Sequence, residues 1–317
     1  MKSPATSPGN AAVREARSSS GLRRVRVLIN PHSGSRLARG ALPLRLQEYW
    51  DVPGIDLSYQ ISRSVEDGIE KAHRAVADGV DTILVVGGDG MVNTIGRVLI
   101  GTPVALGVIP AGSGNGFARH FGIRLDWRRA AEQLATAPIQ SIDVGTANGH
   151  PFFVTCSMAW DAALAQSFER FPGRGIFPYF LAGAYGLMEY TPQPFVFHID
   201  KEPETVRFKE PMVCTVANLT QFGGGARIAP HACPDDGILE LVVMDRKDFP
   251  ALLGGLPRLF AGTIDQMPEV FTRRFQKLIV EREHPAPLQV DGEWIEAPAR
   301  IEIAVIPKAL RILAPRP

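Results

Sequence analysis

The sequence predicts an α/β first domain, a parallel sheet with helices on both faces, followed by a β-rich antiparallel sandwich or barrel. Three observations carry this. Between Arg24 and about residue 140, short apolar strands alternate with helical stretches. After about Ile139 the texture changes to strand-like segments separated by turn residues. Finally, three loops of small residues, PHSGS, GGDG and AGSGNG, each follow an apolar strand of the first domain.

Taken in order, residues 1–22 are rich in Ser, Ala, Pro and Arg and read as a disordered leader. RVRVLIN is a strand ending at Asn30. LRLQEYW is helical, LSYQIS a strand, and VEDGIEKAHRAVADG an amphipathic helix closed by Gly79. DTILVV is a fully apolar strand, GMVNTIGRVLIG a helix, PVALGVIP another apolar strand, and FARHFG the segment after the last glycine loop. In the second domain SIDVGTANG, PFFVTCSM, FVFHID, TVRFKE, MVCTVANL, ILELVVM, KLIVERE, LQVDGE and ARIEIAV read as strands. Helical stretches interrupt them around Tyr179–Glu189 and Phe249–Phe260. The expected division is 23–140 for the α/β domain and 141–299 for the β-rich one, with 300–317 returning to the first.

The bulk properties narrow the function classes. A formal net charge of +1 shows no basic excess of the nucleic-acid-binding kind, so no nucleic-acid partner is expected. Cys156, Cys214 and Cys233 form no CxxC pair, and the N-terminus has no secretory apolar core. Both point to a reducing, cytoplasmic setting. No apolar run reaches the roughly 18 residues needed to span a bilayer; the nearest, Ile176–Met188, contains Pro178 and two glycines and reads as a helix buried or at an interface.

Loops that leave the carboxyl ends of parallel strands share one edge of the sheet, where such sheets bind ligands. AGSGNG is not the dinucleotide fingerprint, because it follows a late strand and Asp126 lies in a loop-like segment instead of ending the next strand. No GxxxxGK[ST] loop occurs either. What remains is a set of backbone amides and the hydroxyls of Ser33 and Ser113, suited to phosphate without an obligatory lysine. Asp89 in GGDG needs a reason to stand beside phosphate. It can hold a hydrated magnesium ion, hydrogen-bond an attacking hydroxyl, or cap the helix beginning at Met91.

NPHSG (Asn30–Gly34), GGDGMVN (Gly87–Asn93), PAGSGNGFAR (Pro110–Arg119), GGGARIAPHACPDDGILEL (Gly223–Leu241) and VDGE (Val290–Glu293) together resemble the diacylglycerol kinase catalytic-domain family. That family includes bacterial lipid kinases and sphingosine kinases. The resemblance runs from Arg24 to Ala314 with the motifs in order; the two late motifs separate it from NAD kinases and phosphofructokinases, which carry similar GGDG loops.

The resemblance implies an ATP-dependent kinase acting on a lipid hydroxyl, with a nucleotide-binding first domain and a lipid-shaping second one. By matched position, Asn30, Ser33, Gly34, Ser62, Gly87, Gly88, Asp89, Gly90, Met91, Val92, Asn93, Gly112, Ser113 and Asn115 are expected to contact ATP, with Ser64 a substitute for Ser62. Glu293 matches the general base, Asp291 the residue that orients it, and Asp89 a third member of the catalytic set. VDGEW read by pattern alone is a hairpin turn. A structural magnesium is implied at Asp236 with the carbonyls of Cys233 and Ile238, so the expected cofactors are ATP and Mg2+.

Two positions depart from the family pattern: Met91 stands for a Thr and Thr94 for a Glu. His32, His120 and His231 have no metal-ligand spacing and read as surface or core histidines. Asp161 either lines a lipid pocket or starts a helix. The expectation is a cytoplasmic, peripherally membrane-associated lipid kinase, its partner a lipid at the membrane surface, with a homodimer left open. Its rivals are a soluble-metabolite kinase of NAD-kinase type and a non-catalytic lipid- or nucleotide-binding pseudokinase.

Overall fold

The structure is a computed structural model, described for residues 22–30, 46–51, 53–112, 114–162, 190–223 and 225–315. Nearly all of the leader, the loop with His32, Ser33 and Gly34, the residue Ser113, and the helical stretch expected at 179–189 lie outside the described residues.

Strands β1 (Arg23–Ile29), β2 (Ile55–Ile61), β3 (Thr82–Gly87) and β4 (Ala105–Pro110) are parallel and ordered β2-β1-β3-β4. Every residue of β3 and β4 is buried, as the unbroken apolar runs TILVVG and ALGVIP require of strands covered on both faces. Ile29 pairs with Ile61 and with Val86, and Gly87 with Pro110, so the four carboxyl ends finish level. Asn30, Ser62, Gly88 and Ala111 therefore stand along one edge.

The helices follow their caps. Helix α1 (Val65–Ala77) starts where the Ser64 hydroxyl accepts the Asp67 N–H at 3.2 Å, and the chain leaves it through Gly79 at φ 72°. Helix α2 (Asp89–Leu99) starts at Gly88, which has no side chain to cap it. Helix α3 (Gly116–His120) is short. Helix α4 (Trp127–Ala135) stands where the sequence suggests a loop-like segment; the Asp126 carboxylate accepts the Arg128 and Arg129 N–H groups at 3.1 Å and is its N-cap.

The first sheet does not end at β4. The long last strand β18 (Arg300–Leu313) pairs parallel with β4 through Arg311–Leu313 and antiparallel with β15 (Lys277–Arg282) through Arg300–Ala304. Strand β5 (Ile139–Ala147) runs along β18 on both sides of a bulge near Lys308, where φ is 52°. With β6 (His150–Phe152), β8 (Phe195–Ile199) and β9 (Val206–Phe208) added, the described residues form one ten-stranded sheet.

Among the described residues a second, six-stranded antiparallel sheet is ordered β14-β13-β10-β7-β16-β17. Its strands are β7 (Thr155–Ser157), β10 (Pro211–Ala217), β13 (Leu239–Asp245), β14 (Phe271–Phe275), β16 (Leu288–Val290) and β17 (Glu293–Ile295). Phe195, Phe197, Leu278, Val280 and Ile303 of the large sheet share a core with Cys214, Val216, Leu241 and Val290 of this one. The second domain is therefore a β-sandwich. The described strands β11 (Gln221–Gly223) and β12 (Ala226–Arg227) form a separate ribbon. Helix α5 (Phe249–Ala261) carries an exposed Phe260.

Candidate active site

Backbone meets backbone where β3 leaves the sheet. A Cβ added to Gly112 would lie 2.5 Å from the Gly88 Cα, and one added to Gly88 would lie 3.0 Å from the Gly112 Cα. No side chain fits at either position, so these two glycines let GGDG and AGSGNG touch. Gly90 differs: a Cβ there would meet nothing within 4 Å, leaving its face of the loop open.

Asp89 fastens the two loops. Its carboxylate accepts the Gly116 N–H at 3.0 Å and the Phe117 N–H at 3.2 Å, so it caps α3 and not the helix on which it sits. Each oxygen accepts one bond, which leaves lone pairs for a further partner. Asn115, at φ 50°, folds its side chain back on Gly112, accepting the N–H at 3.0 Å and donating to the carbonyl at 2.8 Å. That amide therefore shapes the loop. Ser62 donates its hydroxyl to the Ser64 carbonyl at 2.8 Å, and the Ser64 hydroxyl caps α1, so both serines are engaged locally.

Met91 turns inward. Its side chain packs beneath Gly87, where a Cβ would come within 2.8 Å of the Met91 Cβ, and it joins the first-domain core. Thr94 bonds its own helix, donating to the Gly90 carbonyl at 2.9 Å. Both departures from the family pattern are thus absorbed by packing and by α2 itself.

One face of α2 reaches into the second domain. Residues 89, 93 and 97 recur every four positions and share that face. Asn93, buried, donates from Nδ2 to Asp291 Oδ2 at 2.8 Å across 198 residues of sequence. Arg97 Nη1 lies 3.0 Å from Glu293 Oε2. Between them, Gly96 makes room for a ring: a Cβ there would be 2.6 Å from Phe153 Cε2. A mid-helix glycine costs about 1 kcal/mol against alanine, and here the close ring packing accounts for it.

Asp291 and Gly292 have φ of 48° and 94° and join β16 to β17 as a two-residue hairpin in which Val290 faces Glu293. The plain hairpin expected from pattern is therefore present, and it also presents the two carboxylates. Asp291 accepts the N–H groups of Phe153 at 2.6 Å, Val154 at 2.8 Å and Thr155 at 3.0 Å, besides the Asn93 amide. PFFVTCSM, read as one strand, breaks into β6 and β7 at Phe153–Val154, and that break aims the three N–H groups at the carboxylate. Burial pushes the Asp291 carboxyl up to about 6 from an ordinary 3.8, although its four donors pull the other way.

The PDDG turn stands apart. Asp236 Oδ1 accepts the Ile238 N–H at 3.1 Å, and Oδ2 is ion-paired with Arg274. Asp236 shares no hydrogen bond or ion pair with Asp89, Asp291 or Glu293 among the described residues. In the structure the countercharge to the Asp236 carboxylate, which the family resemblance makes a magnesium ligand with the carbonyls of Cys233 and Ile238, is the Arg274 guanidinium. Among the described residues no cluster of three His, Cys, Asp or Glu side chains suits a metal ion.

Sequence reasoning missed Arg97 and Asp143. Asp143, fully buried on β5, accepts the Gly237 N–H at 2.6 Å and the Lys308 N–H at 2.7 Å, tying the PDDG turn to the β18 bulge. A lone carboxylate inside the strand SIDVG was the available signal, since a buried charge requires donors. Asp161 starts a helical turn, accepting the Ala159 N–H at 3.0 Å and the Cys214 N–H at 3.2 Å in a buried setting. His120 is half-buried beside Phe121, its Nδ1 accepts the Thr220 N–H at 3.2 Å, and desolvation lowers it to about 4.

A loop-edged parallel α/β domain whose helix α2 holds the carboxylate turn of a β-sandwich domain is the architecture of a two-domain kinase. Residues 24–147 match the diacylglycerol kinase catalytic domain, and residues 155–314 match the YegS C-terminal NAD kinase beta sandwich-like domain. A diacylglycerol kinase of Mycobacterium tuberculosis is 31% identical over 307 residues, covering 92% of this chain and 96% of that protein. One from Bacillus subtilis is 25% identical over 282 residues, covering 86% and 90%. A crystal structure of a diacylglycerol kinase from Bacillus anthracis superposes with a TM-score of 0.71 at 19% identity, over 92% of this chain and 97% of that one. The chain belongs to the diacylglycerol kinase catalytic-domain family of lipid kinases. No helix of the described residues is long and apolar enough to cross a membrane.

Proposed function

We propose that the chain is an ATP-dependent lipid kinase that moves the γ-phosphate of Mg-ATP onto the hydroxyl of a diacylglycerol-like lipid alcohol. The observation that carries this is the α2 stripe: the helix beginning at the glycine loops is the one that grips the Asp291–Gly292–Glu293 turn. Eight residues at about 1.5 Å each place the Asp89 and Arg97 backbones about 12 Å apart along one face. That span has room for the phosphate chain of the nucleotide, whose γ-phosphorus must come within about 3–3.5 Å of the acceptor hydroxyl at Glu293.

In this reading Asn30, Ser62, Gly87, Gly88, Gly90, Val92 and Gly112 lie along or beside the phosphate edge, and the open side of Gly90 admits the nucleotide. The remaining lone pairs of Asp89 would hold the magnesium that travels with ATP, which would neutralise phosphate charge there, or would accept from the incoming hydroxyl. The acceptor oxygen attacks the γ-phosphorus while Glu293 takes its proton, and the bond to the β-phosphate oxygen breaks to release ADP. Asp291 holds the turn in place, since four donors fix its carboxylate. Such transfer depends on positioning and charge stabilisation, with one residue orienting the nucleophile. The lipid is reached from the membrane surface, where the exposed Phe260 of α5 offers an apolar contact.

The test is transfer of labelled phosphate from ATP to a panel of lipid alcohols in vesicles, with and without magnesium. Glu293→Gln is expected to lower kcat about 10²–10⁴-fold while the protein stays folded. Full turnover in that variant removes Glu293 as base. Transfer only to water-soluble acceptors favours the metabolite-kinase alternative. Ligand binding without any transfer favours the pseudokinase alternative.

A further inference from the structure

We propose that Arg97 is the positioning residue for Glu293, an inference that rests on the kinase reading above. Glu293 begins β17, a three-residue strand that stands at the edge of its sheet and, among the described residues, pairs with β16 alone. A carboxylate on such a short edge hairpin has little of its own sheet to hold it. Backbone N–H groups of Phe153, Val154 and Thr155 hold the neighbouring Asp291, but the Glu293 side chain itself is met from the first domain. Arg97 Nη1 lies 3.0 Å from Glu293 Oε2, and the two side chains are 30% and 42% exposed, so the pair is partly shielded from water.

The arginine is committed to that role. Its Nε and Nη2 are buried and make no hydrogen bond among the described residues, where Glu293 is the carboxylate that answers its charge. It projects from α2, whose neighbouring residues Ile95 and Gly96 are buried and whose Gly96 is clamped by Phe153. The arginine therefore rides on a rigid element, while its partner sits on a weak one. Only Oε2 of Glu293 is engaged among the described residues, which leaves Oε1 to receive the proton of the acceptor hydroxyl. The same helix thus fixes both residues of the turn, Asp291 through Asn93 and Glu293 through Arg97, four positions and one turn apart.

The experiment compares wild type, Arg97→Gln and Arg97→Lys as full chains, with Mg-ATP and the lipid vesicles on which wild type is most active. Arg97→Gln is expected to lose about 10–100-fold in kcat, as misplacement of a reacting group does. KM for ATP is expected to stay within about twofold, because the guanidinium touches the base and not the nucleotide. Arg97→Lys keeps the charge and is expected to recover most of the lost kcat. Thermal unfolding of both variants controls for folding, and the lysine variant keeps the test decisive if the glutamine variant is unstable. Wild-type kcat in Arg97→Gln overturns the inference alone, as does a loss confined to KM for ATP, or a lysine variant as slow as the glutamine one. A wild-type chain that phosphorylates no lipid overturns the kinase reading and this inference with it.

Discussion

Asp291 and Asp236 each precede a glycine of positive φ, 94° at Gly292 and 75° at Gly237, and each belongs to a turn in the second domain. In DGE the carboxylate is enclosed, takes three backbone N–H groups and an amide from another domain, and carries a raised affinity for protons. In DDG the carboxylate is at the surface, bonded to its own turn and to an arginine whose side chain is 53% exposed. Similar local sequences therefore hold a carboxylate by backbone donors in one case and by a countercharge in the other. A carboxylate held by backbone donors keeps its position in any salt, whereas an exposed ion pair is screened and contributes little.

The comparison breaks most sharply at Asp291. Asp291→Asn replaces an acceptor with a donor opposite N–H groups. It is expected to cost about 1–3 kcal/mol in chemical unfolding, with a loss of kcat comparable to that of Arg97→Gln. Its pH dependence has a definite sign. The native state binds the Asp291 proton more tightly than the unfolded chain, because the folded group titrates near 6 and the unfolded one near 3.8. Stability from this group is thus present below about 4 and lost as pH rises through 6. The gap between wild type and Asp291→Asn should therefore widen by up to about 3 kcal/mol from pH 7 to pH 4. His120 acts in the opposite direction over the same range, since burial lowers it to about 4, and it cancels in that difference. Denaturation curves at several pH values check this, and a constant gap would refute it.

A smaller effect is expected at Asn93→Ala, which removes one of the four donors to Asp291 and leaves the other three. About 1–2 kcal/mol and roughly a tenfold loss of kcat should follow, measured by unfolding and by steady-state kinetics. The smallest belongs to the other turn. Arg274→Ala should change stability by less than about 1 kcal/mol, and chelation should leave the melting temperature of the wild-type chain unchanged. A melting temperature that drops on chelation would restore a metal to the Asp236 turn.

Much of the fold was legible because its signals are local. TILVVG and ALGVIP are too apolar for strands exposed on either face, and the glycine loops after them had to share an edge once the strands were parallel. Asp-Gly before Glu293 announced a hairpin, and a hairpin is there. The site was legible only in part. Of the roles open to Asp89, capping falls to the next helix and not to the one beginning at Met91, and Arg97 carries no motif at all.

What the sequence by itself determined is the order of elements and the residue types at the loops, because periodicity, capping and turn preference act over a few neighbours. What only the tertiary structure decided is which donor meets which carboxylate. Asn93 and Asp291 are 198 residues apart, and Arg97 meets a strand of the other domain. Two similar Asp-Gly turns became different because one was buried against α2 and the other was left in water. Burial and electrostatics are properties of the packed surroundings, and no window of sequence contains them.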